Sequence, residues 1–422
     1  MTASNRPADA AGDRPADGDT DILIRGGQIL DVAAGSVRAG SVLICGERIV
    51  AVGDVPDPGP GTRVLDADGR TVMPGLIDCH VHIDAAAMVE HQTTERTVSV
   101  GLAYRELTNS LLRGFTTVRD AGGADAGFKT ALEWGLVRGP RLFVADRPLS
   151  QTGGHGDVRA RQADDRPTGP QNSRIADGVD EVRRAVRDNL RRGADHIKIM
   201  VSGGISSPTD RLDGSQYSDE EIAVAVDEAN RAGKYVAAHA YSDDSVARSV
   251  ELGVRTIEHG SLIGDRAATA MADRGAIMVP TLSPYHWVTR IGEDLGLPQQ
   301  HRERAATVQQ DALRAVALAA RYGVALALGS DLFRTPREHQ SYELVLRAQV
   351  QPTIDVVRSA TMVGAQVVGL GDRLGQVSTG YLADLLVVDG NPLDDLSVLQ
   401  DQGAHLALVM RGGVPVVDRL SR

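Results

Sequence analysis

The stretch Leu76–Asp84, LIDCHVHID, sets two histidines one residue apart at the end of an apolar run that follows VMPG. In a β-strand, residues i and i+2 point to the same face, so His80 and His82 would look into one space, about 6–7 Å apart along the backbone. An isolated pair of this kind reads equally well as a polar strand end with two solvated imidazoles. The surrounding chain decides.

Outward from this stretch the chain alternates. Strand-like segments are GLIDCHVHI, TTVRDAG, RLFVADR, HIKIMVS, YVAAHAYS, TIEHGS, AIMVPTL and VALALGSD, separated by helix-like stretches such as GVDEVRRAVRDNLRRG, SDEEIAVAVDEANRAG and AATVQQDALRAVALAARYG. Such alternation over roughly 300 residues predicts an α/β fold, a single (β/α)8 TIM-like barrel spanning 75–375. A doubly wound sheet is the alternative, but no GxGxxG follows the first strand. Residues 21–74 and 376–422 have another texture, with short apolar runs such as DILIRGGQILD and LALVMRGGVPVVD broken by glycine pairs and Asp-Gly steps. Read as strands joined by tight turns, they predict one small β-sandwich domain built from both termini. Residues 1–20, rich in Asp, Ala and Pro, read as a disordered polar tail.

Composition narrows the function classes. Of 422 residues, 42% are hydrophobic and 24% charged, the balance of a globular protein. A formal charge of −11 argues against a nucleic-acid partner, whose phosphates attract basic surfaces. No apolar run approaches the roughly 18 residues of a membrane span, and the first residues have no apolar core of a secretory signal. Cys45 and Cys79 are too few for a disulfide framework. The expectation is a cytoplasmic protein with neither nucleic acid nor membrane as partner.

In a barrel of this kind, chemistry belongs at the C-terminal ends of the strands. His80 and His82 close the first strand, Lys198 lies in the fourth, His239 and His259 end the fifth and sixth, and Asp331 ends the eighth in LALGSD. One histidine at a strand end is unremarkable; four with an aspartate are hard to explain as packing. Neutral imidazoles and a carboxylate suit a borderline divalent ion, Zn²⁺ first, with Mn²⁺, Co²⁺ or Fe²⁺ as alternatives. Lys198 is the odd member, since an ammonium pointing into a barrel is costly unless paired. Either it makes a salt bridge to Asp331 or Asp78, or its neutral amine takes up CO2 as a carbamate, an anion able to bridge two metals.

The HxH after PGLIDCH, the strand-four lysine, the histidines of strands five and six and the GSD of strand eight resemble the amidohydrolase superfamily. The likeness runs from about Ile22 to the C-terminus and includes GYLADLLVVDGNP. Within it, SQTGGHGD, HIKIMVSGGISSPTD and AAHAYS resemble the binuclear Xaa-Pro dipeptidase-like branch, which cleaves dipeptides and N-acyl amino acids and includes relatives acting on ochratoxin-type amides. The resemblance implies two divalent metal ions: His80, His82 and Asp331 on the more buried one, His239 and His259 on the other, and carboxylated Lys198 bridging both. It implies a metal-bridged hydroxide as nucleophile, Asp331 as proton shuttle, a small-molecule substrate and a homo-oligomer.

Three further residues are weaker site candidates. His155, in the glycine-rich TGGHGD, is either a solvated loop histidine or a donor to the substrate carbonyl or carboxylate. Tyr241 is either a packed aromatic or a carboxylate donor, and His286 in SPYHW is a third substrate-binding candidate. His196 reads as a hydrogen-bonded core histidine, and His91, His301, His339 and His405 as surface residues. The irregular ARQADDRPTGPQNSRIAD and the stretch 283–300 read as the selectors of substrate side chains. Two rival readings remain: a cyclic-amide hydrolase or deaminase resembling imidazolonepropionase, which Lys198 argues against, and a catalytically inactive binding protein, which an intact ligand set argues against.

Overall fold

The computed structural model describes residues 21–56, 59–84, 95–157, 159, 173–207, 210–332 and 335–420. The N-terminal tail and most of the ARQADDRPTGPQNSRIAD selector lie outside the described residues.

The chain opens with β1 (Ile22–Asp31), β2 (Ser36–Cys45), β3 (Arg48–Gly53), β4 (Arg63–Asp66) and β5 (Thr71–Pro74). Next come β6 (Leu76–Val81), α1 (Arg96–Leu112), β7 (Phe115–Asp120), α2 (Ala126–Glu133), β8 (Arg141–Val144), β9 (Leu149–Ser150), β10 (Arg174–Ile175), α3 (Gly178–Arg191) and β11 (Ile197–Met200). The alternation continues through α4 (Asp219–Arg231), β12 (Val236–Ser242), α5 (Asp243–Glu251), β13 (Thr256–Leu262), α6 (Asp265–Arg274) and β14 (Ile277–Val279). Then follow α7 (Leu282–Ile291), α8 (Gln299–Arg321), β15 (Ala325–Leu326), α9 (Tyr342–Arg347), α10 (Thr353–Ser359) and α11 (Met362–Val367). The chain closes with β16 (Leu385–Val388), β17 (Leu406–Arg411) and β18 (Val414–Asp418).

These strands form three sheets. Both chain ends meet in one, ordered β18-β17-β16-β5-β1-β2-β3, with β4 also on β1. Its seam is the antiparallel pairing of β16 with β5, Leu385 opposite Pro74 and Val388 opposite Thr71. The sheet is mixed, because β4 and β5 both run parallel to β1. Gly26–Gly27 corrects one expectation: the pair lies inside β1 at a register shift, not at a turn. A Cβ on Gly27 would stand 2.6 Å from the Val72 side chain, so the glycine admits the neighbouring strand. Gly412–Gly413 does make the β17–β18 turn, both residues at positive φ.

The other two sheets are parallel throughout, β6-β7-β8 and β10-β9-β11-β12-β13-β14-β15. Backbone hydrogen bonds join them at both flanks. Cys79 N donates to Leu328 O (2.8 Å) and Asp331 N to His80 O (2.8 Å), while Asp195 N donates to Val144 O (2.7 Å). Helices separate most successive strands, with β8 and β9 joined directly, and pack an apolar stripe inward. In the charged α3 the buried residues are Val182, Ala185, Val186 and Asn189, spaced three or four apart as on one helical face. Helix α4 starts at a full capping box, Ser218 with Glu221.

One buried apolar cluster includes Met73, Leu76, Leu111, Phe115, Val118, Leu328, Leu386 and Val409, so the terminal sheet and the parallel strands share a core. Leu386 of β16 is fully buried there. Leu386→Ala should cost about 2–5 kcal/mol of unfolding free energy, read as a lower urea midpoint with unchanged slope. A loss below about 1 kcal/mol would mean that β16 is not integral to that core.

Candidate active site

Strand pairing fixes most of the site before any side chain is considered. Met200 lies opposite His239 in β11–β12, and Ala240 opposite His259 in β12–β13. The Asp331 N to His80 O bond holds the end of LALGSD against the end of β6. Gly329 makes that approach feasible, since a Cβ there would fall 2.8 Å from His80 Cβ and 2.5 Å from Val279. Two of the residues so placed are conformationally costly. His259 has φ 74° and Asp331 φ 44°, the left-handed region that non-glycine residues rarely adopt. Such strain persists where the surrounding structure over-determines it.

The side chains converge accordingly. Asp331 Oδ1 lies 3.6 Å from His80 Nε2 and 3.4 Å from His82 Nε2, and its Oδ2 4.0 Å from His259 Nδ1. One ligand atom from each of His80, His82 and Asp331 falls within 4.8 Å of the others. Ring centroids of His80 lie 5.2 Å from those of both His82 and His259, and His239 sits 4.5 Å from His259. His155 stacks on His239 at 4.0 Å, and Tyr241 on His259 at 5.2 Å.

Each imidazole has one nitrogen engaged by the protein. His80 Nδ1 donates to Glu258 Oε2 (2.7 Å), His82 Nδ1 to Gly122 O (2.8 Å), and His239 Nε2 to Gly203 O (3.0 Å). His259 Nδ1 hydrogen-bonds Thr281 Oγ1 (2.7 Å). Fixing one ring nitrogen is the pattern that orients histidines for a metal, although among the described residues only His80, His82 and Asp331 bring their ligand atoms within 4.8 Å of one another. Burial holds His239 and His259 well below the usual imidazole range and His80 down at about 4, keeping them in the neutral form a metal requires. His82 goes the other way: burial opposes its protonation, but the Asp331 carboxylate raises it. Asp331 is itself held low, burial being outweighed by His80, His82 and His259. The donor set therefore fits a divalent ion.

Lys198 is 1% exposed. Among the described residues, neither Asp331 nor Asp78 reaches it with an ion pair; Asp78 instead accepts from Ser330 and Gln340. Burial, with Arg119 adding repulsion, lowers its ammonium to about 8, so its amine is neutral more often near neutrality than that of an ordinary lysine.

The weaker candidates divide. Tyr241 hydroxyl accepts from Tyr285 hydroxyl (2.9 Å), which also hydrogen-bonds Ser261 (2.8 Å); burial pushes the Tyr241 phenol well up, keeping it a donor. His155 Nδ1 meets Ser207 Oγ, and the enclosed ring is pushed down to about 4. His286 is not brought to this group by any ring contact or hydrogen bond among the described residues. Its ring packs against Trp287 (5.0 Å) and Tyr342 (4.8 Å). His196 is buried as expected but corrects the hydrogen-bonding expectation: it stacks on Tyr235 at 5.5 Å, and neither ring nitrogen has a partner among the described residues. His339, read as a surface residue, stacks on Trp287 at 4.1 Å.

With this geometry the comparisons agree. The pattern of the amidohydrolase family matches residues 71–416. The chain belongs to the amidohydrolase family. It is 32% identical to ochratoxinase of Aspergillus niger over 399 residues, covering 88% of this chain and 82% of that protein. A prolidase crystallised with N-methylphosphonate-L-proline superposes with a TM-score of 0.91 at 43% identity, covering 94% of this chain and 100% of the other. A Xaa-Pro dipeptidase with bound methionine gives 0.86 at 30% identity, covering 94% and 100%. The protein is a hydrolase acting on amide or peptide C–N bonds.

Sequence reasoning missed the residues that hold the ligand candidates. Glu258 is fully buried between His80 and Arg119, whose guanidinium binds its other oxygen at 2.7 Å. Arg119 also donates to Thr256 Oγ1 (3.0 Å). Burial opposes the Glu258 charge, but Arg119 and Lys198 hold its carboxyl far below the usual range. The available signal was charge inside a strand: Glu258 directly precedes His259 in TIEHG, and Arg119 with Asp120 ends FTTVRD. Glu343, a further buried carboxylate, accepts from Leu282 N (3.1 Å) and Ser283 N (2.8 Å) at the start of α7; nothing in the sequence pairs these segments. Glu258→Gln should lower metal affinity about 10–100-fold and, by leaving Arg119 without its carboxylate, cost about 3–5 kcal/mol of stability. Competition with a coloured chelator and a denaturant titration measure both; an affinity within about twofold of wild type would remove Glu258 from metal support.

Proposed function

We propose that this amidohydrolase is a binuclear, metal-dependent enzyme cleaving the amide bond of dipeptides of the Xaa-Pro kind or of N-acyl amino acids, ochratoxin-type amides included. The reading places it in a (β/α)8 barrel of residues 75–375 closed between β15 and β6, with a β-sandwich of 21–74 and 376–422. The flanking hydrogen bonds Cys79 N to Leu328 O and Asp331 N to His80 O favour that closure.

The observation that carries the proposal is the convergence of His80, His82, His259 and Asp331 beside a buried Lys198 that makes no ion pair among the described residues. His80, His82 and Asp331 would hold one ion, His239 and His259 a second, probe metal Zn²⁺, and a Lys198 carbamate would join them. Bound there, two divalent ions would supply hydroxide at neutral pH and polarise the scissile carbonyl. The chain's own residues do the rest. Asp331, ionised at any working pH, takes the proton of the attacking water and returns it to the leaving amine nitrogen. His155, neutral and steadied by Ser207, donates to the substrate carbonyl. Tyr241, kept protonated beside Tyr285, donates to the α-carboxylate of the leaving amino acid. His286 belongs to the packing behind that wall and has the weakest claim to substrate contact.

The test is a hydrolysis screen of Xaa-Pro dipeptides and N-acyl amino acids on metal-replete enzyme, paired with cyclic imides and aminated heterocycles. Turnover of substrates with a free α-carboxylate beside the scissile amide is expected; turnover of the cyclic compounds alone would overturn the reading. Metal-replete Asp331→Asn keeps an oxygen ligand but cannot take the proton. Its kcat should fall at least about a hundredfold with substrate binding nearly unchanged. A value within about threefold of wild type would take Asp331 out of the proton path.

A further inference from the structure

The site's fourth-strand side rests on one residue far away in sequence. Arg304, in the second turn of α8, donates from Nη1 to Gly204 O (3.0 Å) and Ser207 O (2.9 Å), and from Nη2 to Asp210 O (2.8 Å). A single guanidinium thus collects three main-chain carbonyls of the loop after β11. That loop touches two site residues directly. Gly203 O accepts from His239 Nε2 (3.0 Å), and Ser207 Oγ meets His155 Nδ1. The fit is tight: a Cβ on Gly204 would fall 2.3 Å from His155 Cε1. A second tie runs through Gln216, which donates to Asp210 (2.8 Å) and accepts from His155 N (2.9 Å).

We propose that Arg304 is a positioning residue for amide hydrolysis, its guanidinium fixing the loop after β11 so that Gly203 and Ser207 hold the His239 and His155 rings in register. The inference rests on the hydrolytic reading above. Three carbonyls in one fork require the planar, multi-donor head of arginine; the point charge of lysine cannot span them. Ile205 and Leu212 of the loop pack only partly buried against the core, and the clamp adds a polar anchor to that packing. Misplacement of a reacting group by about 1 Å costs about a hundredfold in rate, which is the scale on which a loosened loop acts.

The experiment uses the full-length, metal-loaded enzyme and whichever dipeptide or N-acyl amino acid the wild type cleaves best. Arg304→Ala should lose about tenfold to a hundredfold in kcat, measured at saturating metal so that any weaker hold of His239 on its ion does not contribute. Millimolar methylguanidinium should restore part of that loss. Limited trypsin digestion supplies a readout independent of activity: cleavage after the exposed Arg211, in the same loop, should accelerate in Arg304→Ala and slow again with methylguanidinium. Arg304→Lys, the variant least prone to misfold, should stay nearly as slow as Arg304→Ala. A kcat within about twofold of wild type together with unchanged cleavage at Arg211 overturns the proposal. So does a kcat loss that tracks a fallen melting temperature and is not rescued, the mark of a merely structural arginine. If the wild type cleaves no amide, the hydrolytic reading fails, and the trypsin experiment alone judges the clamp.

Discussion

The carboxylate of Glu258 is the contact on which the site's architecture depends. Fully buried, it accepts from Arg119 on one oxygen and from His80 on the other. Burying either charge alone would be prohibitive, and together they are tolerable only with every lone pair and proton engaged. Thr256 and the Cys79 carbonyl engage the remainder. The consequence is that β6, β7 and β13 are tied at one level across the parallel sheets. His80 receives a fixed tautomer, and the net positive charge that Lys198 and Arg119 would otherwise impose is offset. One metal-ligand candidate, His80, is bonded directly to this ion pair.

The same logic of indirect support repeats around the site. His82 leans on a glycine carbonyl, His259 on Thr281, His239 on Gly203, His155 on Ser207. These partners are carbonyl and hydroxyl oxygens, too weakly basic to take a proton from the histidine; each sets orientation. Where orientation costs backbone energy, at His259 and Asp331, the left-handed conformation is pinned by neighbours, Asp331 by its bond to the His80 carbonyl. A site this constrained presents its donors already arranged, so little ordering remains to be done when metal or substrate arrives.

Much of this was legible in the sequence because it follows a period. The HxH of LIDCHVHID shows its same-face geometry directly, and β/α alternation puts His239 and His259 in neighbouring strands, although they stand mid-strand in β12 and β13 and Asp331 lies beyond the end of β15. Most parallel strands fall where the apolar runs place them, but the two-residue β9 and β10 lie outside those runs. What was not legible lacks a period. Glycine pairs mean turns or bulges according to the neighbouring strand, so Gly26–Gly27 was indistinguishable from Gly412–Gly413. His286 and Trp287 stand side by side in SPYHW, and only the packing of α7 on Tyr342 sets the former apart from the site while Tyr285 joins it. Arg119–Glu258 spans 139 positions, Arg304–Gly204 spans 100, and no local pattern announces either. The buried His196, stacked but without a hydrogen bond among the described residues, shows that parity alone does not supply a partner.

The central claim is that these residues form a two-metal centre. Elemental analysis of protein purified without chelator and then supplied with excess Zn²⁺ and bicarbonate tests it most directly. The account predicts a ratio approaching about two ions per chain. A ratio that stays at one whatever metal is added would contradict it, and would leave Lys198 a buried amine with no bridging role.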